Sequence, residues 1–508
     1  MQCAGHGTLT GVMEAVMQIN RCNQVAVLCA LGVLAVGANA GAKDKTGAAS
    51  GKIAITTASD EARQLYLKGR DLNDKLRATD ANKEFAAAVA KDKDFALGHL
   101  GLAQTSATAK DFFAEIDQAV ALADKVSEGE RVYIQGVAAG AKGDVKGQKE
   151  AYIKLVKMFP NDERAHNLLG QFYFGQQDWP AAVVEYQKAV QIDPKFSAPY
   201  NQLGYAYRFM DKMADAEKTF KKYTELIPDD PNPYDSYAEL LMKLGRFDES
   251  IKTYEKALAV DPNFVASLVG IGNNYIFMGK GDDARKSFAK LTAIARTDGE
   301  KRQALFWTAV SYVHEGATDK ALAEAVKESE IAIAAKDMIA LSQDYNFMAN
   351  ILLEAGRPDE AAAKLKQQQE TLAASNAPEG VKAQALRNKL FDEARVALAK
   401  NDAATAKARA AEYSKVVKDK GNPFEVWQSH QLLGMIAIAD KSFANAVTEL
   451  QQANQQDPRV TYLLAVAFQG KGDAKKARET AEKAANFNGL NPNFAYVRTK
   501  ARAMLAKS

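Results

Sequence analysis

Two independent residue series in this chain recur with a single period of 34. Tyr173 is followed at that step by Tyr207, Leu241 and Tyr275, and Pro160 by Pro194, Pro228 and Pro262. The register holds across five consecutive units, residues 129–298. A period of this size leaves few folds open. One unit is too short to bury an apolar face alone, so neighbours must stack, and the product is a solenoid of helical hairpins. Such a molecule carries its function on an extended surface rather than in a closed pocket. The repeat also overrides the prior from length, which for 508 residues is about three domains of ~150.

The unit Ser197–Asp230 shows why each period folds as two helices. Tyr200, Leu203, Gly204 and Tyr207 fall at i, i+3, i+4 and i+7, one stripe of a helix. Asp211 centres a turn, and Ala216, Phe220 and Tyr223 make a second stripe. Pro228 closes the unit, because proline lacks the backbone donor and clashes inside a helix. Gly204 and Ala216 are small where the helices cross, which lets the backbones approach. Neighbouring units obey the same grammar: Leu169, Gly170, Tyr173, Ala182 and Tyr186 in one, Leu268, Gly272, Tyr275, Ala284 and Phe288 in another.

The pattern resembles the tetratricopeptide repeat, large-x2-Leu-Gly-x2-Tyr, then Ala-x3-Phe-x2-Ala, then Pro. The resemblance implies an all-α, right-handed α-solenoid of stacked helix–turn–helix units. Weaker copies extend it upstream (Leu65, Gly69, Phe85) and downstream (Leu305, Ala309, Tyr312; Tyr345, Ala349, Leu352; Leu433, Gly434, Leu450; Leu464, Phe468). The total is roughly eleven or twelve hairpins. The organisation expected is a solenoid over 59–372, a divergent helical repeat over 373–426 with its turn at Asn401-Asp402, and further repeats over 427–508. The last stretch, from Asn491, reads as a capping helix with Arg498, Lys500, Arg502 and Lys507 on an exposed face.

The first 40 residues read differently. Arg21 precedes an apolar run, Val25–Val36, and Ala38-Asn39-Ala40 supplies an A-x-A cleavage signature. This is the layout of a secretory signal peptide. Twelve apolar residues fall short of the ~20 a bilayer-spanning helix needs, which disfavours the alternative of an uncleaved membrane anchor. Glu14 fits the basic region badly, and a start at Met17 gives a cleaner leader. Residues 41–58, rich in Gly, Ala, Lys and Thr, read as a flexible linker. Export into a bacterial periplasm is the expectation. Cys3, Cys22 and Cys29 all lie inside the leader, so the mature chain is expected to use no thiol chemistry.

Nothing points to an active site or a cofactor. The histidines beyond the leader, His99, His166, His314 and His430, form no close pair, and His166 and His430 take the repeat position of Tyr200. They read as packing residues rather than metal ligands. No P-loop, intact dinucleotide fingerprint or G-x-S-x-G elbow is present; Gly279-Lys280-Gly281 reads as a turn. Net charge of +3, with basic residues dispersed, argues against nucleic acid as the partner.

A binding face is nevertheless legible. In the first helix of each unit a second stripe, at repeat positions 2, 5, 9 and 12, points well away from the packing stripe at ~100° per residue. In tetratricopeptide-repeat proteins that stripe lines a concave groove for peptides or helices. Here it holds Arg164, Asn167, Gln171 and Phe174; then Asn201, Tyr205 and Arg208; then Asn232, Asp235, Glu239 and Met242; then Asn273 and Ile276. Amides can donate to and accept from an extended backbone, and Tyr and Arg are favoured at binding hot spots. Phe174, Tyr205 and Met242 are expected to be exposed, which demands a reason. The bland alternative is an ordinary solvated face. Asn201→Ala is expected to cost little. Asn167 and Asn201 resemble the asparagines of a chaperone-tail clamp, but its lysines are absent, so that ligand is not expected. The function expected is a non-enzymatic scaffold in the cell envelope that binds a protein or peptide. The alternatives are a repeat-bearing enzyme or accessory subunit of a membrane-associated secretion or polymer-export machine, and a self-assembling structural protein.

Overall fold

The stripe-and-turn grammar folds as expected from it. In the computed structural model, which describes residues 51–106, 109–377, 379–420 and 422–507, the chain is all-α. The leader, its cysteines and the first part of the linker lie outside the described residues. The chain divides into two compact bodies between Leu240 and Leu241.

The amino-terminal body stacks the hairpins α1 (Asp60–Asp74) and α2 (Ala78–Lys91), α3 (Ala96–Thr105) and α4 (Ala109–Ala121), α5 (Glu128–Ala141) and α6 (Val145–Met158), α7 (Glu163–Gly175) and α8 (Trp179–Ile192), and α9 (Ala198–Phe209) and α10 (Met213–Leu226). The division falls within α11 (Pro231–Lys243), which is followed by α12 (Phe247–Val260). The carboxy-terminal body continues with α13 (Val265–Phe277) and α14 (Gly281–Ile294), α15 (Asp298–Glu315) and α16 (Thr318–Ala334), α17 (Met338–Glu354) and α18 (Pro358–Ala374), α19 (Glu379–Ala399) and α20 (Ala403–Lys420), α21 (Pro423–Ala439) and α22 (Phe443–Gln452), and α23 (Pro458–Lys471) and α24 (Ala474–Ala485). It ends in a single helix, α25 (Phe494–Leu505).

Small-to-large complementarity joins the two helices of a hairpin. A Cβ on Gly204 would sit 2.6 Å from the Phe220 ring, and one on Gly272 2.2 Å from Phe288. Both rings are fully buried. The glycine therefore creates the groove that the aromatic of the second helix fills.

The 34-residue register also sets the turn. Gly143, Gln177, Asp211, Gly245 and Gly279 stand in that register, and their φ angles are +74, +61, +60, +73 and +75°. Each closes its helix in the same way: Gln177 N donates to Phe174 O at 3.0 Å, and Asp178 N to Tyr173 O at 2.9 Å. A left-handed residue other than glycine is strained by about 1–2 kcal/mol. Part of that is offset, because glycine loses more entropy on folding. Gln177→Gly is therefore expected to stabilise the chain by about 0.5–1 kcal/mol. A urea midpoint that falls on this substitution would show that the Gln177 side chain contributes more than its backbone costs.

Residues 52–58, expected from composition to be flexible, are pinned to the amino-terminal body. Ile53 N donates to Asp162 Oδ2 (2.7 Å), Thr56 N and Oγ1 donate to the two oxygens of Glu130 (2.7 and 2.6 Å), and Ala58 N donates to Asp92 Oδ2 (2.9 Å). Lys52 pairs with Glu163. Composition missed this because three carboxylates at successive inter-hairpin junctions satisfy the backbone donors of an extended segment.

Candidate binding faces

In the amino-terminal body the second stripe is brought together along the first helices, but it is not a free surface. Asn201, Tyr205, Arg208, Asp235 and Glu239 are all buried. The expectation that Phe174 and Tyr205 are exposed does not hold, since they retain 7% and 8% of their accessible surface. The cause is close stacking: positions 5, 9 and 12 of one unit meet positions 6 and 9 of the next. Ser236 Oγ donates to Asn201 Oδ1 (3.1 Å), and Tyr205 Oη donates to Ser236 Oγ (3.4 Å). Arg208 Nη1 donates to Glu239 Oε2 (3.0 Å), with its guanidinium 5.5 Å above the Tyr205 ring. Phe174 packs edge-on against Trp179 at 4.9 Å. Asn201 is thus a rung of an inter-repeat ladder rather than a solvated amide.

Two stripe residues keep some exposure. Gln171 is half-buried. Arg164, also half-buried, binds Asp74 through both terminal nitrogens (3.2 and 2.6 Å) and stacks 4.6 Å over Phe196. Asn167 is buried, and its Oδ1 has no hydrogen-bond partner.

In the carboxy-terminal body the same stripe is covered by the chain itself. Met242 and Ile276 are buried in one apolar cluster with Phe306, Val310, Leu490, Phe494 and Val497. The Phe494 ring lies 4.8 Å from Phe277, nearly edge-on, and 5.8 Å from the His314 ring. The Arg498 guanidinium sits 4.5 Å over Phe277 and that of Arg459 4.1 Å over Tyr496. Lys500 Nζ is 2.6 Å from Glu354, and Asn493 Nδ2 donates to both oxygens of Asp457 at 3.1 Å. Of the four cations expected on the exposed face of the terminal helix, Lys500, Arg502 and Lys507 are exposed, but Arg498 is buried at 2%. Asn273 is fully buried; its Nδ2 donates to Val269 O of its own helix at 3.0 Å.

Three of the four histidines, His99, His166 and His430, share one structural device. His166 Nδ1 is 2.7 Å from Glu185 and its Nε2 is 3.0 Å from Pro160 O. His99 repeats this with Glu115 and Lys93 O, and His430 with Glu449. One register later Tyr200 Oη donates to Pro194 O at 3.1 Å, so the ring at this position anchors the turn before its own helix. Among the described residues, no group of three His, Cys, Asp or Glu side chains is placed to hold a metal ion.

With this geometry in view, the comparisons with known proteins bear on specific segments. Residues 170–208 match a family model described as TPR repeat, and residues 198–230 and 241–306 match models described as tetratricopeptide repeat. These segments are similar to tetratricopeptide repeats. Similar solved structures include a MamA protein, 26% identical, with a TM-score of 0.30 over 33% of this chain and 91% of that one. A tetratricopeptide repeat protein from Parabacteroides merdae is 16% identical, with a TM-score of 0.36 over 56% and 99% of the two chains. YrrB, described as a TPR protein with an unusual peptide-binding site, is 20% identical, with a TM-score of 0.27 over 37% and 99%. No curated protein matches the chain significantly.

Beyond the matched repeats, sequence reasoning missed the cover on the second groove, although a signal for it existed. Stripe positions 5, 9 and 12 of α15 are Phe306, Val310 and Val313, whereas the unit from Ser197 carries Asn201, Tyr205 and Arg208 there. An apolar groove of that kind needs an occupant. It also missed Asp392, buried at 2% with Arg395 Nη1 3.4 Å away. Burial pushes the Asp392 carboxyl up to about 7, against the pull of Arg395. Its folded pKa therefore lies above the unfolded value of ~3.9, so its contribution to stability is full below that value and is lost as pH rises through about 7. Asp392→Asn removes this dependence. The stability of the variant relative to the parent is expected to rise with pH between 4 and 7 by up to ~1.4 kcal/mol per pH unit. Parallel stability–pH curves, measured by urea unfolding, would refute it.

Proposed function

We propose that the chain is a non-enzymatic interaction scaffold that holds a protein or peptide partner against its stacked repeats. The observation that carries this reading is the extended segment 52–58. Its backbone donors are taken by Asp162, Glu130 and Asp92 at three successive junctions of the amino-terminal body. A surface that satisfies an extended backbone in this way recognises peptide as peptide, with side-chain pockets left to set specificity. The similarity of 170–208, 198–230 and 241–306 to tetratricopeptide repeats supports the same reading. We place this work in the cell envelope after export, most simply in a bacterial periplasm. The support is Arg21, the apolar run Val25–Val36 and the A-x-A signature at Ala38–Ala40.

The test is affinity capture from an envelope extract of the source organism on the immobilised chain from Gly41. A parallel column carries Arg70→Glu and Gln171→Arg; Arg70 takes in the first unit, from Ala62, the position 9 that Gln171 takes in its own, and both are half-buried, so their replacement spares the buried ladder. A partner kept by the first column and lost from the second supports groove binding. Equal retention moves the contact to the opposite face. The reading falls if neither column retains a protein.

A further inference from the structure

The groove of the carboxy-terminal body holds a helix from its own chain, and the way it is held is that of a ligand. α25 reaches back to Phe277, His314 and Glu354, well before it in sequence, as well as stacking on α23 and α24. Phe494 supplies an aromatic anchor in a desolvated seat, which is how helix-in-groove complexes are fixed. The seat also carries a cost that a permanent core avoids. Arg498 is 2% exposed, and among the described residues no carboxylate pairs with it. Its hydrogen bonds go to Phe487 O (3.0 Å) and Asn488 Oδ1 (2.7 Å) in its own segment, and its Nε has no partner. His314 Nδ1, beside the anchor, is buried without a partner too. Apolar residues in these places would bind the helix more firmly, because a buried charge without a counter-charge loses more in desolvation than it regains.

We propose that this groove is a receptor for an amphipathic helix bearing an aromatic anchor followed four residues later by an arginine, that α25 is its resident occupant, and that a partner helix of the same chemistry enters by displacing it. The inference rests on the scaffold reading; it adds the chemistry of the partner and a site that is held closed until the partner arrives. Charge complementarity extends the match, since Glu354 at the groove edge receives Lys500 at 2.6 Å.

The probe is a fluorescein-labelled peptide of residues 487–505, titrated against the full chain and read by anisotropy. The unmodified chain is expected to bind it weakly, because the seat is taken. Phe494→Asp in the full chain removes the resident anchor and is expected to tighten probe binding at least about tenfold, the factor that separates an occupied from a vacated site when the competitor is tethered. A probe with the same Phe494→Asp change is expected to bind neither chain. Equal binding of the unmodified probe by both chains overturns the proposal. If Phe494→Asp abolishes the helical circular dichroism signal, Lys500→Glu, at an exposed position, decides: a several-fold gain in probe binding sustains the proposal, and unchanged binding overturns it. Failure here while partner capture still depends on Arg70 and Gln171 removes the resident-ligand inference alone, whereas failure of both removes the scaffold reading as well.

Discussion

Arg208→Ala is expected to lower folding stability by about 3–5 kcal/mol, as when one member of a buried ion pair is removed. The Arg208 side chain is fully buried and that of Glu239 is 7% exposed, with 3.0 Å between the charged atoms. The substitution takes away the guanidinium that faces Glu239 and also the surface stacked on Tyr205. Arg208 Nε and Nη2 have no hydrogen-bond partners, so the pair is not held at full strength. A double replacement, Arg208→Met with Glu239→Leu, keeps the volume and removes both charges. It is expected to fold at least as stably as the parent. The loss in the single variant should appear first as faster amide exchange in α9 and in the part of α11 up to Leu240, because a repeat stack transmits stability through nearest-neighbour interfaces. An Arg208→Ala chain within about 0.5 kcal/mol of the parent in urea unfolding would show that water reaches this pair and that the stripe is open after all.

The same stripe shows which parts of this molecule a sequence can disclose. Whatever repeats in register was legible: the glycine that receives an aromatic, the proline that ends the second helix, the turn at Asp211. Each is a local requirement met again every 34 residues, so several copies reinforce one reading. The histidine position was legible for the same reason, since Tyr200 performs the task of His166 one register on. The environment of the outward stripe was not legible. Helical periodicity gives a direction; it does not say how closely the next helix follows, and here it follows closely enough for Ser236 to reach Asn201. For that reason Asn201→Ala, expected from sequence to be silent, is now expected to cost about 1 kcal/mol, the usual net loss for one intramolecular hydrogen bond. The docked ends were not legible because they break the register. Residues 52–58 are held in large part through backbone donors, which carry no sequence signature. α25 reads as polar from its cations, while Phe494 and Tyr496, which carry its docking, are both buried.

The second large effect is expected at Phe220, where sequence and structure agree. Phe220→Ala should cost about 3–5 kcal/mol, the range for a large aromatic truncated in a core. The ring is fully buried, lies edge-on to Tyr205 at 5.2 Å, and fills the notch left by Gly204. The notch supplies a sharper test than the single loss. A Cβ added at Gly204 would meet Phe220 Cε1 at 2.6 Å, and a fully buried ring has nowhere to retreat. In the parent chain, Gly204→Ala is therefore expected to destabilise by about 1–3 kcal/mol through overpacking. In the Phe220→Ala background that clash is gone, and alanine has the better helix propensity by about 1 kcal/mol. The same substitution should then stabilise. A sign reversal in the double-mutant cycle, measured by urea unfolding of the four chains, would establish that glycine and aromatic specify one another across the hairpin. Additivity would mean that the two positions do not share a contact, and the packing account of the whole repeat would fail with it.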